Sequence, residues 1–273
     1  MSNFNAIENL RQTILRDYDR LDEDDKFKFA CHPGVSCFNQ CCSDVNIFLT
    51  PYDIIRLKNR LKISSMEFLA KYTITPIDKN QQFPVVMLKM RDDETKNCHF
   101  VQDDGCSVYE DRPWSCRMYP LGLASPKEEG TPTDEQFFFL MKEDVCKGFQ
   151  EVQEWTVRSW MEDQGVTNYD EFGRLFKEIT LQSYFQSGKA LEPQKMEMFH
   201  MVCYNIDKFR IFLYGSSFFE RFEVDEALIK TMGTDDAQLL RFGFQWLKFA
   251  LFGEKAITVK PGAEKKVFEA KSK

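Results

Sequence analysis

Apolar and polar positions along this chain follow two regimes that change over near residue 150. Before it, apolar runs are short and broken by turn residues; after it, they recur at helical spacing over long stretches. Phe4, Ile7, Leu10, Ile14, Leu15, Tyr18 and Leu21 form one amphipathic stripe, so a helix is predicted over 4–21, closed by the solvated turn Asp22-Glu-Asp-Asp25. Val45-Asn-Ile-Phe-Leu49 reads as a short strand. Thr50-Pro-Tyr-Asp53 then starts a helix, with Thr50 at the cap and Pro51 in the first turn. Ser64-Ser-Met-Glu67 repeats the capping pattern for a second helix through Tyr72. Residues 82–91 read as a strand with Cys98-His-Phe-Val101 beside it. Asp103-Asp-Gly105 supplies a hairpin turn between Val101 and Cys106. Phe137-Phe-Phe-Leu-Met141 is a further strand, reached through the polar loop 124–136.

Helices are predicted over 150–163, over 169–187 with Asn168 as cap, over 193–214 led by Pro193, over 224–232, and over 235–252 capped by Thr234. The last is too apolar for a surface helix. The elements describe an α+β, mostly α chain, with a small cysteine-rich loop and short-strand region packed against a helical C-terminal half. The corresponding division is an N-terminal helix over 1–28, a cysteine-cluster metal-binding domain over 29–148, a helical region over 149–255 and a flexible tail over 256–273.

Composition adds three facts. The chain of 273 residues is 43% hydrophobic and 29% charged, ordinary values for a folded domain. Its 26 Phe, concentrated after residue 137, suggest an aromatic core. Its net charge of −7 and the lack of a basic patch argue against nucleic acid as a partner. No apolar run is long enough to span a membrane, and the first residues carry no secretory pattern, so a cytoplasmic location with reduced thiols is expected.

The nine cysteines change the picture most. Seven fall between Cys31 and Cys116, in Cys31-His-Pro-Gly-Val-Ser-Cys37-Phe-Asn-Gln-Cys41-Cys42, in Cys98 to Cys106, and at Cys116. Clustered, reduced thiols select zinc, copper(I) or iron–sulfur clusters, and an odd total suits a disulfide framework poorly. Cys37-x3-Cys41 would open a radical-SAM triad, but its third position is Asp44; ferredoxin-type and zinc-ribbon runs are missing as well. Cys37, Cys41, Cys106 and Cys116 are the leading ligands, with Cys42 and Cys98 beside them. Cys203, in a helical stretch, reads as core. His32 and His99 are left outside the ligand set. Arg112 and Arg117 flank Cys116, where they would either offset thiolate charge or form an ordinary surface ion pair. No Walker loop, G-x-S-x-G, H-E-x-x-H or GxGxxG occurs, and no catalytic residues or enzymatic activity are assigned.

The double cysteine, Val45-Asn-Ile-Phe-Leu-Thr-Pro-Tyr-Asp-Ile-Ile-Arg-Leu57, Cys98, and Gly105-Cys-Ser-Val-Tyr-Glu-Asp-Arg-Pro-Trp-Ser-Cys-Arg-Met-Tyr-Pro120 together resemble the YkgJ-type cysteine-cluster family of zinc- or iron-chelating domains over residues 29–148. The resemblance implies a ligand set of Cys31, Cys37, Cys41, Cys42, Cys98, Cys106, Cys116 and Cys146. The first cysteines are spaced more widely here than in the family. Eight thiolates exceed the need of one zinc ion, which favours an iron–sulfur cluster, or two sites, over a single zinc or iron ion. A redox role, a structural zinc domain with a helical partner-binding module, and metal delivery or sensing are the functions compared. The partner is a metal ion or cluster, and any protein partner is left unnamed.

Overall fold

The computed structural model describes residues 18–76, 81–124 and 136–263. Helix makes up 46% and strand 15%, in small two- and three-stranded sheets, as expected of an α+β, mostly α chain. The predicted helix 4–21 lies outside the described residues up to position 17. Its last residue, Leu21, is extended, exchanging backbone hydrogen bonds of 2.8 and 3.1 Å with Phe138.

The chain forms two compact units, each made of two separated segments. The first takes the chain up to Ile47 together with Lys89–Asn168. Lys26–Lys28 pairs antiparallel with Glu154–Thr156, Phe27 opposite Trp155, and the alternation turns Phe27 inward and both lysines outward. The helix expected over 150–163 therefore starts only at Val157. Its first residues are taken by the strand, and Thr156 then caps the helix in a reciprocal pair with Ser159.

Leu121–Ala124 pairs antiparallel with Phe137–Leu140. Gly122 is needed there, because a Cβ would lie 2.3 Å from the Phe139 ring. The core gathers Phe27, Phe29, Met118, Leu121, Val157, Trp160 and Val166. Phe29 meets Tyr119, Phe149 and Trp160 edge-on at 5.8, 5.4 and 5.5 Å, each worth about 0.5–1.5 kcal/mol beyond burial.

The second unit takes Phe48–Leu88 and the chain from Tyr169. Val86–Leu88 is the central strand between Phe48–Leu49 and Thr73–Ile74. Thr50 and Asp53 close a capping box on helix Pro51–Leu61, and Ser64 caps Ser65–Tyr72, both as predicted. The 193–214 prediction is divided into Pro193–Cys203 and Ile206–Gly215. The break is at Asn205, whose side-chain oxygen accepts from the Lys208 N–H at 3.3 Å and from Ser65 Oγ at 2.9 Å. Likewise 169–187 becomes Thr167–Thr180 and the short Ser183–Gln186, and Asp235, not Thr234, caps Asp236–Phe252.

That last helix buries Leu239, Leu240, Phe242, Phe244, Leu247 and Phe249, as its composition predicted. Gly243 lets it approach closely, since a Cβ would meet Val202 at 2.7 Å. A charged group is buried in the same unit: Lys58 lies 2.8 Å from Asp236 and 3.4 Å from Asp207, and Arg210 pairs with both aspartates. Thr258–Val259 pairs with Phe222–Glu223, so ordered backbone extends into the stretch expected to be a tail. Residues 264–273 lie outside the described residues.

Candidate metal centre

All eight candidate ligand cysteines belong to the first unit. Cys203, in the second, is only 2% exposed, as a core residue should be.

The first cysteine loop is a run of tight turns. Hydrogen bonds run from Val35 N–H to His32 O, Phe38 N–H to Val35 O, Gln40 N–H to Cys37 O and Cys42 N–H to Asn39 O, at 2.9–3.1 Å. Asn39, with φ 67°, precedes the 3-10 turn Gln40–Cys42, and its side-chain amide donates to Gln102 O at 2.8 Å. The loop is thereby tied to the hairpin Val101–Gln102/Gly105–Cys106, whose Asp103-Asp104 turn is the one predicted. Cys98, placed in a strand by its sequence, is instead a single bridge opposite Met90, and its N–H donates to Cys42 O at 2.7 Å. On the opposite flank, Ala30 N–H donates to Gly148 O at 3.1 Å, bringing Cys31 toward Cys146. Gly148 is required here: a Cβ would lie 2.6 Å from Ala30 O.

A cavity is lined by Cys31, Cys37, Cys41 and Cys146 together with Phe29, Ala30, Val35, Tyr119, Val145 and Gly148. The Lys147 N–H donates to Cys37 Sγ at 3.1 Å. Cys31 is exposed as a residue, yet its sulfur is pushed up to about 11, first by burial and then by Cys41, Cys37 and Cys146. The Cys42 thiol hydrogen-bonds that of Cys41, holding Cys41 down at about 7. Cys42 itself is driven well above the ordinary thiol range by that bond, by burial, and by the neighbouring Cys41, Cys116 and Cys98. Burial raises Cys98, with Cys106 adding to it; burial also raises Cys106, opposed by the Val108 N–H and by Arg112.

The two arginines are not surface ion pairs. Both are buried and bind backbone carbonyls. Arg117 donates to Arg112 O at 3.2 Å, to Gln164 O at 2.5 Å and to Glu110 O. Arg112 donates to the Gln164 side chain and lies 3.6 Å over the Tyr109 ring. Its charge also acts on Cys31, Cys106 and Cys116, which is the offsetting role named as the alternative. His32 accepts from Gly34 N–H at 3.1 Å through Nδ1 and faces Glu151 at 3.5 Å through Nε2, so both ring nitrogens are engaged. Lys147, Gly148 and Tyr119 also stand at the cavity, outside the set of ligands expected from the sequence. The signals for them were the Cys146-Lys-Gly148 and Cys116-Arg-Met-Tyr119 sequences.

Among the described residues, no three Cys, His, Asp or Glu side chains are placed to hold one ion as they stand. Ligation therefore requires the thiols to move from these positions. The donor chemistry fits a thiophilic metal: soft sulfurs in numbers, an N–H aimed at sulfur, a guanidinium against the thiolate charge and aromatic walls.

Fold and thiols together describe a cysteine-rich unit on a mostly helical chain. Residues 30–155 match the family CxxCxxCC, described as a "putative zinc- or iron-chelating domain". The match covers the segment whose sequence resembles this cysteine-cluster family. Comparison with curated proteins and with solved structures yields no match. No helix among the described residues is long and apolar enough to cross a membrane.

Proposed function

We propose that this chain is a thiolate-ligated metal protein holding an iron–sulfur cluster, in preference to a lone zinc or iron ion, through cysteines drawn from Cys31, Cys37, Cys41, Cys42, Cys98, Cys106, Cys116 and Cys146. The supporting observation is that one compact unit collects eight free thiols from stretches as distant as Cys31 and Cys146, while Cys203 lies outside it. Such a cluster supplies one-electron chemistry. The chain's own groups would hold it: Lys147 N–H donates to Cys37 Sγ, Arg112 would counter thiolate charge, and Phe29, Val35 and Tyr119 would wall one side. A structural zinc site is the second reading, favoured by the closely hydrogen-bonded turns of the first loop, which a bound ion would lock.

Protein purified without oxygen is expected to be brown, with charge-transfer absorption near ~400 nm that bleaches on reduction and with acid-labile sulfide. Cys116→Ser should lose metal and Cys203→Ser should keep it. A colourless protein with stoichiometric zinc and no sulfide promotes the structural reading. Equal metal loss in both variants refutes the ligand assignment.

A further inference from the structure

In the second unit, helix Ile206–Gly215 is apolar on two opposed sides. Ile206, Phe209 and Leu213 are buried, whereas Ile211, Phe212 and Tyr214 are 70%, 37% and 43% exposed. At about 100° per residue, these last three share one arc turned away from Phe209 and Leu213. Gly215 continues the arc into open space, since no atom lies within 4 Å of a Cβ built there. A helix that is apolar all round belongs under cover, and this one is covered on one side only. The short helix Phe218–Arg221 borders the exposed side: the Phe219 ring meets Tyr214 edge-on at 5.3 Å, and the Phe218 ring meets Phe212 at 6.1 Å. The chain returns to this border at its last described residues. Lys260 N–H donates to Arg221 O at 2.8 Å, and Lys260 Nζ donates to Phe219 O at 2.9 Å. Ala263 N–H then donates to Lys260 O at 3.0 Å, closing a turn through Gly262 at φ 85°.

We propose that residues 264–273 dock on this helix, with Val267 and Phe268 covering Ile211, Phe212 and Tyr214. The proposal is independent of the metal reading. Reach permits it. A β-turn keeps Ala263 within about 7 Å of Lys260, which is bonded to Phe219, and Phe219 touches Tyr214. Val267 and Phe268 stand four and five residues beyond Ala263, a span of up to roughly 13–18 Å. Charge favours it as well. Lys265, Lys266, Lys271 and Lys273 flank the apolar pair, and Glu220, Glu223, Asp225 and Glu226 are exposed along the border the chain returns to. Glu269, beside Phe268, complements Lys208, which is exposed on the helix itself. Tethering decides the occupant. A segment joined to its target by so few residues acts at an effective concentration of about millimolar, which a second copy or a separate protein must exceed. Any other partner of this face therefore has to displace residues 264–273 first.

The test is amide hydrogen exchange, read by mass spectrometry on the whole 273-residue chain at two protein concentrations. Amides around Val267 and Phe268 should exchange about tenfold more slowly in the unaltered chain than in Phe268→Asp, at both concentrations. Ile211→Asp, at a site exposed enough to leave the helix standing, should release them to the same extent. Continued protection of Ile206–Gly215 shows that each variant is folded. Carbodiimide coupling should join Lys265 or Lys266 to Glu220 or Glu223 within one chain, and less so at high salt. Free-chain exchange of 264–273 in the unaltered protein overturns the proposal, as does protection that survives Ile211→Asp. Protection that fades on dilution, with coupling between chains, assigns the face to a second copy and overturns it equally.

Discussion

Arg117 offers the sharpest link between folding energy and the metal centre. The residue is 6% exposed, and its guanidinium donates to three backbone carbonyls, those of Glu110, Arg112 and Gln164. Arg117→Met keeps much of the packing and removes every donor. Each buried acceptor left unpaired costs about 1–3 kcal/mol, and the three are not additive. The Glu110 carbonyl lies where the contact is only partly buried, so water recovers part of its loss. The expected net loss is about 3–5 kcal/mol, which for an m-value of about 3 kcal/mol/M lowers the urea midpoint by roughly 1–1.7 M.

Glu110 and Arg112 belong to the strap between Cys106 and Cys116, so loosening it should also weaken Co²⁺ binding, by tenfold or more if about 1.4 kcal/mol of the loss falls on the site. Arg117→Lys, a point charge without the planar fork, should fall between the two. Urea unfolding followed by circular dichroism, paired with Co²⁺ titration, tests both parts. An unchanged midpoint in Arg117→Met would refute the energetic argument. A lowered midpoint with unchanged affinity would show that the clamp holds the strap without holding the thiols.

Two further outcomes are expected. Gly148→Ala drives a Cβ to 2.6 Å from Ala30 O and 2.7 Å from the Phe29 ring, and backbone cannot swing aside as a side chain can. A loss of about 1–3 kcal/mol in urea unfolding follows, with weaker metal retention beside Cys31 and Cys146; wild-type stability would show that the wall is soft. In the second unit, burial opposes ionisation of Asp236, but Arg210 and Lys58 outweigh it and hold the carboxyl below its ordinary value. A depressed folded value gives stability that is complete above the unfolded value of about 3.9 and is lost as pH falls through the lower folded one. Asp236→Asn should therefore flatten the stability–pH curve on the acid side and cost about 2–4 kcal/mol at neutral pH, because Lys58 keeps only Asp207, at 3.4 Å. An identical acid slope in urea midpoints would remove Asp236 from that account.

What could be read directly from residues was local. Thr50-Pro51-Tyr52-Asp53 sets its helix start because cap and partner are three residues apart, and Asp103-Asp104-Gly105 sets the hairpin turn by the backbone those residues favour. Cysteine density showed the chemistry, because thiols in that number serve metal better than packing. The burial of Asp236–Phe252 was legible from composition alone.

Tertiary structure decided everything that depends on a distant partner. Glu154–Thr156 looked helical and is a strand because Lys26–Lys28 supplies its hydrogen bonds, a pairing with no local signature. Asn205 interrupts an apolar helical run because Ser65, remote in sequence, holds its side chain as a cap. Arg112 and Arg117 could be read equally as charges offsetting thiolates or as surface ion pairs, and backbone carbonyls of the loops around them hold both inward. The cysteines show the division most plainly. Clustering along the chain could mark six thiols as candidate ligands, with Cys31 and Cys146 added by the family resemblance. Only the turns, bridges and hairpin that fold one segment onto another brought Cys146 beside Cys31, and Cys98 beside Cys42.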